Sequence, residues 1–178
     1  NKKGCILNLL ALMRYSQTKR YFQNYADFNK KYFRLTEKEY QLYDQIKADL
    51  PAFDAYVCGS DQLWRPGMHS RDTIRAYALE FVKSEDAKKV AYAPSFGVST
   101  LPENHQEFIA PLIDDITHLS VREKTGQDIV RDLTGREPPV VLDPTLLLDA
   151  EFWSTVAAPP RITEPYTLVY CQSQRQNF

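Results

Sequence analysis

The sequence has few cysteines, few glycines and no long apolar run. Its 178 residues contain three cysteines, Cys5, Cys58 and Cys171, which are far apart and have neither metal-ligand nor redox spacing. Scattered thiols in odd number favour a reducing, cytoplasmic setting. The longest N-terminal apolar stretch, CILNLLALM, is too short to cross a bilayer.

An excess of charge of either sign is also missing. Twenty-two basic residues against 23 acidic residues give a formal net charge of -1, and 43% of the residues are hydrophobic. This composition is typical of a globular chain with one sizeable core, whereas nucleic-acid binders usually carry a basic excess. The GxGxxG, Walker A, GxSxG and zinc-ligand patterns are absent from the sequence.

Residues 1–52 form a predicted helical segment. Apolar residues follow helical spacing up to Met13, and an aromatic stretch with interspersed Lys and Arg begins at Tyr15. We interpret that stretch as a packed amphipathic helix or arm in preference to an RNA-binding face. Thr36 and Glu39 form a capping-box pattern, which predicts a second helix that stops before Pro51.

Short apolar runs alternate with amphipathic runs from residue 53 onward. Strands are predicted at 53–59, 88–94, 117–121, 138–143 and 165–172, and helices at 102–116, 123–135 and 149–157. This alternation predicts an α/β fold: a Rossmann-like, mostly parallel sheet with helices on both faces. We assign residues 53–157 to this domain. Residues 158–178 are predicted to be a proline-rich linker and the first strand of a second, truncated α/β domain.

Four predicted strands are followed by polar or glycine-containing sequence. These positions comprise Gly59, Ser60, Asp61 and Gln62, then Ser95, then Arg122 and Glu123, and finally Asp143. Ligands of open parallel sheets bind beyond the carboxyl ends of the strands, so these residues are predicted to form one lip of a cleft. A helix cap at Ser60–Asp61, an Arg122–Glu123 ion pair and a structural turn at Asp143 remain open as alternatives. Trp64 and Trp153 are predicted to lie in the core.

Five motifs in order carry a family resemblance. GSDQLW, YALEFV, KKVAYAPSFG, LSVREKTG and VVLDPTLLLD, with Trp153 shortly after, resemble the polysaccharide pyruvyl transferase family from about Phe53 through Trp153. The sequence YTLVYC looks like the first strand of that family's second domain. One departure is that the family's opening strand and glycine-rich turn are not visible before residue 53.

The resemblance implies a two-domain fold similar to GT-B glycosyltransferases, with this chain as the N-terminal half. It implies transfer of pyruvate from phosphoenolpyruvate to a sugar as a cyclic ketal, with phosphate leaving. Arg122 would bind the donor anion, Asp61 and Glu123 would contribute acid and base, and the remaining contacts to substrate would come from Gly59, Ser60, Gln62 and Ser95. No metal and no cofactor are expected.

The expected partners are phosphoenolpyruvate and a saccharide or lipid-linked saccharide, without nucleic acid. The expected location is the cytoplasm, and peripheral association with the inner face of the membrane is left open. The 178-residue chain alone is expected to be inactive. Two other functions stay open at this point: a GT-B-like glycosyltransferase that uses a nucleotide-sugar, and a non-catalytic sugar-binding α/β module.

Overall fold

The computed structural model describes residues 2–83, 85, 87–160 and 162–169. These residues divide into two compact units, residues 1–41 and 42–178. The first unit contains helix α1 (Lys2–Tyr32). The second runs in the order α2 (Tyr43–Ala48), β1 (Ala55–Cys58), α3 (Arg71–Tyr77), β2 (Lys88–Ala91), α4 (Glu103–Asp114), β3 (His118–Leu119), α5 (Lys124–Thr134), a 3-10 turn (Pro144–Leu146) and α6 (Ala150–Val156).

Three helices form where the sequence predicts them. Helix α4 continues through Pro111 without being split. Helix α5 ends at Gly135, whose φ of 74° is left-handed and whose N–H donates to the Arg131 carbonyl at 2.8 Å. Helix α6 begins after Asp149, whose carboxylate accepts from the Phe152 N–H at 2.8 Å. Local cap chemistry therefore predicts these helix ends correctly.

The capping box predicted at Thr36 is wrong. The Thr36 hydroxyl donates to the backbone carbonyl of Lys38 at 2.8 Å, and residues 33–42 form no helix. A short hydroxyl side chain can favour such a local bond over capping a helix. The helix begins later, at Tyr43, where the Gln45 side chain accepts from the Leu42 N–H at 3.1 Å.

The three strands form a small open parallel sheet in the order β1-β2-β3. Ala55 pairs with Lys88 and Cys58 with Ala91, and Ala91 in turn pairs with Leu119. The predicted mixed α/β architecture with parallel strands is confirmed. All three strands end at the same edge of the sheet, which is the edge where ligands bind in such folds.

Two further predicted strands are not found in the described residues. The fourth is reduced to a single parallel bridge between Val121 and Val140, with the Val141 N–H donating to the Val121 carbonyl at 2.9 Å. Of the fifth, residues 165–169 have no regular secondary structure, and residues 170–172 lie outside the described residues.

The core lies on one face of the sheet. It joins the inward side chains of the strands to those of α3, α4 and α5, and comprises Cys58, Trp64, Ile74, Leu79, Val82, Ala91, Phe96, Leu101, Ile109, Ile113, Ile116, Leu119, Val121, Ile129 and Val130. On the opposite face Val57, Lys88 and His118 are exposed. Within the described second unit, the prediction of helices on both faces is therefore wrong. Both crossovers, from β1 to β2 and from β2 to β3, move across the sheet in the same direction. Right-handed crossovers that move in the same direction place their helices on the same face of the sheet.

The two tryptophans have different surroundings. Trp64 is fully buried against Phe96, with ring centroids 5.4 Å apart, as predicted. Trp153 is 42% exposed, so its assignment to the core is wrong. Its indole N–H donates to the Thr145 carbonyl at 3.3 Å, which holds the ring along the preceding turn and outside the core.

Gly59 supports a prediction about stability. Its φ is 128°, and a Cβ at this position would overlap the carbonyl oxygen of Tyr92. Gly59→Ala should therefore lower the free energy of unfolding by about 3 kcal/mol or more, measured by urea denaturation. Gly67 is the matched control, because its φ is also positive, at 72°, but no atom lies within 4 Å of an added Cβ. Gly67→Ala should cost only about 1 kcal/mol. Equal losses would contradict the close contact at Tyr92.

Candidate functional site

The residues that follow the strands converge at the carboxyl edge of the sheet. The Ser60 hydroxyl donates to Asp143 Oδ2 at 2.6 Å, and Arg122 Nη1 donates to the same oxygen at 3.1 Å. The backbone continues the link, because the Arg122 N–H donates to the Pro94 carbonyl at 3.2 Å. Residues from after β1, β2 and β3 and from the 3-10 turn thus meet at one place, as predicted from the sequence.

Asp143 joins these segments. While Oδ2 accepts from Ser60 and Arg122, Oδ1 accepts from the Thr145 N–H at 3.0 Å and from the Thr145 hydroxyl at 2.7 Å. These hydrogen bonds, above all the one from Ser60, hold the pKa of the Asp143 carboxyl well below its ordinary value. Asp143 is therefore both the cap of the 3-10 turn and a charged anchor for Arg122.

Arg122 is held in a fixed orientation by acidic neighbours. Its Nε donates to Glu123 Oε1 at 2.7 Å, and its Nη1 to Asp143. The bond to Glu123, followed by the bond to Asp143, raises the pKa of the guanidinium further above its ordinary value. The Nη2 atom lies 3.9 Å from Asp61 Oδ1, beyond hydrogen-bond distance. Nη2 is therefore the guanidinium nitrogen for which a ligand would compete least with the neighbouring carboxylates.

A cleft of about 330 Å³ opens beside Arg122. It is lined by Gln62, Ser95, Phe96, Gly97, Val98, Ser99, Arg122, Glu123, Thr125 and Gly126. Three of these residues, Glu123, Thr125 and Gly126, belong to the start of α5. The side chain of Glu123, the N-cap residue, makes no capping hydrogen bond, so the first backbone N–H groups of α5 are left for another acceptor. A helix N-terminus beside a guanidinium is suited to an anion.

The floor of the cleft is fixed by internal hydrogen bonds. Ser95 is buried, its hydroxyl accepts from the Gly97 N–H at 3.0 Å, and its own N–H donates to the Asp61 carbonyl at 2.8 Å. The Gln62 side-chain oxygen accepts from Arg65 Nη1 at 2.7 Å. Gln62 also lies close against Gly97, where a Cβ would come within 2.7 Å of its carboxamide. The assignment of Gln62 and Ser95 to substrate contacts stays a prediction.

The remaining predicted site residues are Asp61, Glu123 and Gly59. Asp61 is exposed beside Arg122, and its acid–base role stays a prediction, as does that of Glu123. Gly59 directly follows β1 and does not line the cleft, and the group that approaches it closely is the backbone of Tyr92. Cys58, at the end of β1, is buried, and burial raises the pKa of its thiol to about 12, so it is not available as a thiolate nucleophile.

The sequence predicts that the helix start after Arg122 offers free N–H groups and favours an anion, but it does not single out Thr125 and Gly126 as lining the cleft. Sequence reasoning missed one feature of this site: it placed Asp143 at the edge but did not link it to Ser60 or Arg122. The Asp-Pro-Thr sequence does signal a capped turn, yet no local pattern indicates which distant groups share the carboxylate.

Together these features define a mixed α/β protein with an anion-suited cleft at the carboxyl edge of a parallel sheet. Comparison with known proteins gives the particular family: the family described as polysaccharide pyruvyl transferase matches residues 5–176. The chain belongs to this transferase family, as the motifs predict. No curated protein and no solved structure gave a significant match.

Two features are absent from the part of the chain that the structure describes. No helix in this part of the chain is both long enough and apolar enough to cross a membrane. Over the same residues, no group of three or more His, Cys, Asp or Glu side chains is placed to hold a metal ion. The expectation of metal-free chemistry stays a prediction.

The lowered pKa of Asp143 predicts a pH dependence of stability. A carboxyl with a depressed pKa in the folded state stabilises the fold above its unfolded pKa, and this contribution is lost as the pH falls toward the folded pKa. The free energy of unfolding of the native chain should therefore decrease between about pH 5 and about pH 2 more steeply than that of Asp143→Asn. Urea denaturation at several pH values measures both slopes.

The matched control for this experiment is Asp114→Asn, which alters an exposed carboxylate on α4. It should keep the native slope. An Asp143→Asn protein whose stability falls with acid as steeply as that of the native chain would show that the Ser60–Asp143–Arg122 link contributes nothing to the acid dependence.

Proposed function

We propose that this protein transfers pyruvate from phosphoenolpyruvate onto hydroxyls of a cell-surface polysaccharide or its precursor, forming a ketal. Membership of the family supports the class of reaction. The observation that carries the donor assignment is the position of Arg122, whose guanidinium lines the cleft beside the uncapped start of α5. Phosphate and carboxylate are the groups that a guanidinium fork and free amides bind best.

The donor would approach Arg122 from the Nη2 side. Nε and Nη1 are already committed to Glu123 and Asp143, so they fix the plane of the fork. The amides at the start of α5 would then bind a second oxygen of the same anion. The planar guanidinium and the N-terminus of α5 would thus contact a tetrahedral or planar anion from two directions.

The charge balance of the cleft calls for a further source of positive charge. Asp61, Glu123 and Asp143 surround one guanidinium, whereas the donor itself carries a phosphate and a carboxylate. We therefore propose that the chain is the N-terminal, Rossmann-like half of a GT-B-like pair, with the remaining cations supplied by the second half. This part of the proposal rests on the resemblance and on the charge count.

The reaction balances without an external oxidant or reductant. A proton adds to the methylene carbon of phosphoenolpyruvate, and the neighbouring enol carbon gains oxocarbenium character. One sugar hydroxyl attacks that carbon, the bond to the phosphate oxygen breaks, and a second hydroxyl closes the ketal. The two sugar hydroxyls release two protons. One restores the acid that protonated the methylene carbon, and the other leaves with the phosphate. Asp61 and Glu123 lie beside Arg122. The proposal assigns these proton transfers to their two carboxyls.

A binding comparison tests the donor class. Isothermal titration of the full reading frame that contains this chain with phosphoenolpyruvate, and separately with a nucleotide-sugar, should give saturable heat with phosphoenolpyruvate alone. Binding of the nucleotide-sugar alone would replace the proposal with a glycosyltransferase. Binding of a free sugar but of neither donor would favour a non-catalytic sugar-binding module.

Substitution of Arg122 gives the sharper prediction. In the full reading frame that contains this chain, Arg122→Lys should lower the kcat/KM for phosphoenolpyruvate by about one to two decades, since one charge-assisted hydrogen bond is worth about 1.5–3 kcal/mol. Lysine keeps the charge but loses the planar fork. The kcat/KM for the acceptor, at saturating donor, should change much less.

Arg131→Lys is the matched control, because Arg131 lies on the same helix near its opposite end. It should leave both kinetic parameters unchanged. If Arg122 serves only as an ion-pair partner, Arg122→Lys will lower the free energy of unfolding and leave the KM for the donor unchanged. Equal kinetic losses for donor and acceptor would also remove Arg122 from the donor site.

The two-domain part of the proposal has a separate test. The 178-residue chain alone should form no ketal from phosphoenolpyruvate and an acceptor, because the cleft lacks the cations of the second half. Ketal formation by the chain alone would overturn the two-domain assignment. The assignment of the donor to Arg122 would then be tested on the chain itself.

A further inference from the structure

Helix α1 exposes a row of aromatic side chains over residues 15–33, which we name the amphipathic segment. Seven aromatic residues in it are 42–67% exposed: Tyr15, Tyr21, Phe22, Tyr25, Phe28, Tyr32 and Phe33. Phe33 continues the helical pattern, because its N–H donates to the Asn29 carbonyl at 2.8 Å. Exposed aromatic residues in such number call for an explanation, since soluble surfaces rarely carry large contiguous apolar patches.

These aromatic residues share one side of the helix. At 3.6 residues per turn they fall within an arc of about 140°, which we name the aromatic face. Neighbours on this face touch: the ring centroids of Tyr21 and Tyr25 are 4.7 Å apart, and those of Phe28 and Tyr32 are 4.6 Å apart. The aromatic face therefore contains two clusters of contacting rings, one after the other along the helix.

The basic residues of the segment lie on the opposite side. Lys19, Arg20, Lys30 and Lys31 are exposed and fall within an arc of about 120° that does not overlap the aromatic face. The only acidic residue between positions 1 and 35 is Asp27, against eight lysines and arginines, so this stretch carries a net charge of +7. The near-neutral charge of the whole chain conceals this asymmetry.

We propose that the amphipathic segment lies along the surface of an anionic lipid bilayer, with its aromatic face turned toward the acyl chains. Interfacial helices combine an aromatic or apolar face with a Lys/Arg-rich polar face, and they bind by apolar burial together with attraction to anionic headgroups. A net charge of +7 is complementary to such a surface. The proposal does not depend on the reaction proposed above.

The arrangement favours a bilayer over RNA. Proteins that bind single-stranded nucleic acid place aromatic rings for base stacking in the same groove as the basic residues that follow the phosphates. Here Lys19, Arg20 and Lys30 lie on the side opposite the aromatic face. Lys31, at the border, places its Nζ 4.8 Å from the ring centroid of Tyr32. A bilayer satisfies both sides at once, because rings enter the interface while long basic side chains reach up to the headgroups.

Sedimentation with lipid vesicles tests the proposal on the 178-residue chain. At about 0.1 M NaCl, the chain should sediment with vesicles of phosphatidylserine and phosphatidylcholine mixed in a ratio of about 1:2. Binding to pure phosphatidylcholine should be about tenfold weaker or less, and raising the salt to about 1 M should remove most of the difference.

Two variants address the two faces. Lys30→Glu/Lys31→Glu should lower the partition into the mixed vesicles by about tenfold or more. Phe22→Ser/Phe28→Ser should lower it by about tenfold at both salt concentrations, since it removes apolar burial. Lys83→Glu/Lys88→Glu makes the same change of charge on exposed residues of the second unit, and should have little effect.

Several outcomes would overturn the proposal. One is an equal loss of binding in the Lys83→Glu/Lys88→Glu control. Another is equal binding to both kinds of vesicle at every salt concentration. Binding of a single-stranded RNA oligomer that is lost in Lys30→Glu/Lys31→Glu, without binding to vesicles, would assign the segment to RNA. A dimer that is lost in Phe22→Ser/Phe28→Ser, without binding to vesicles, would assign the aromatic face to a second copy of the chain.

Discussion

The parallel pairing of β2 with a strand on each side is the constraint on which the site depends. The Tyr92 N–H donates to the Cys58 carbonyl at 2.8 Å, and the Ser120 N–H donates to the Ala91 carbonyl at 2.9 Å. Because the strands run in one direction, each chain segment leaves the sheet at the same edge. The bond between Ser60 and Asp143, 83 residues apart in sequence, is a consequence of this pairing.

The direction of winding has a second consequence. Each crossover moves one strand further from β1, so the helices accumulate on one face and the core forms there. The opposite face keeps Val57 66% exposed. A doubly wound sheet covers its second face by adding strands in the other direction, beyond β1. The face that carries Val57 is the one that a doubly wound sheet covers in this way.

Prediction from the sequence is correct where a feature depends on residues close together in sequence. It fails where the feature depends on pairing between distant strands. Gly135 and Asp149 are predictable because a cap depends on its own residue and its near neighbours. Helix α3 was missed because seven residues are too few to show a helical period, although Ser70 caps it. Whether the chain around Val140 forms a strand depends on how many residues around Val121 are extended enough to pair with it. No local pattern in the sequence determines that number. The site followed the same rule: its members were predictable as strand ends, but their mutual bonds were not.

The acids around Arg122 have two opposing effects on a ligand. By holding Nε and Nη1, Glu123 and Asp143 fix the fork before any ligand arrives, which lowers the ordering cost of binding. The same carboxylates offset the positive charge that an anion would meet. Fixed orientation therefore comes with a local excess of negative charge, which the amides at the start of α5 offset only in part. Under the proposed reaction, a cleft built in this way would orient one anionic group of the donor, and the second anionic group would require cations from elsewhere.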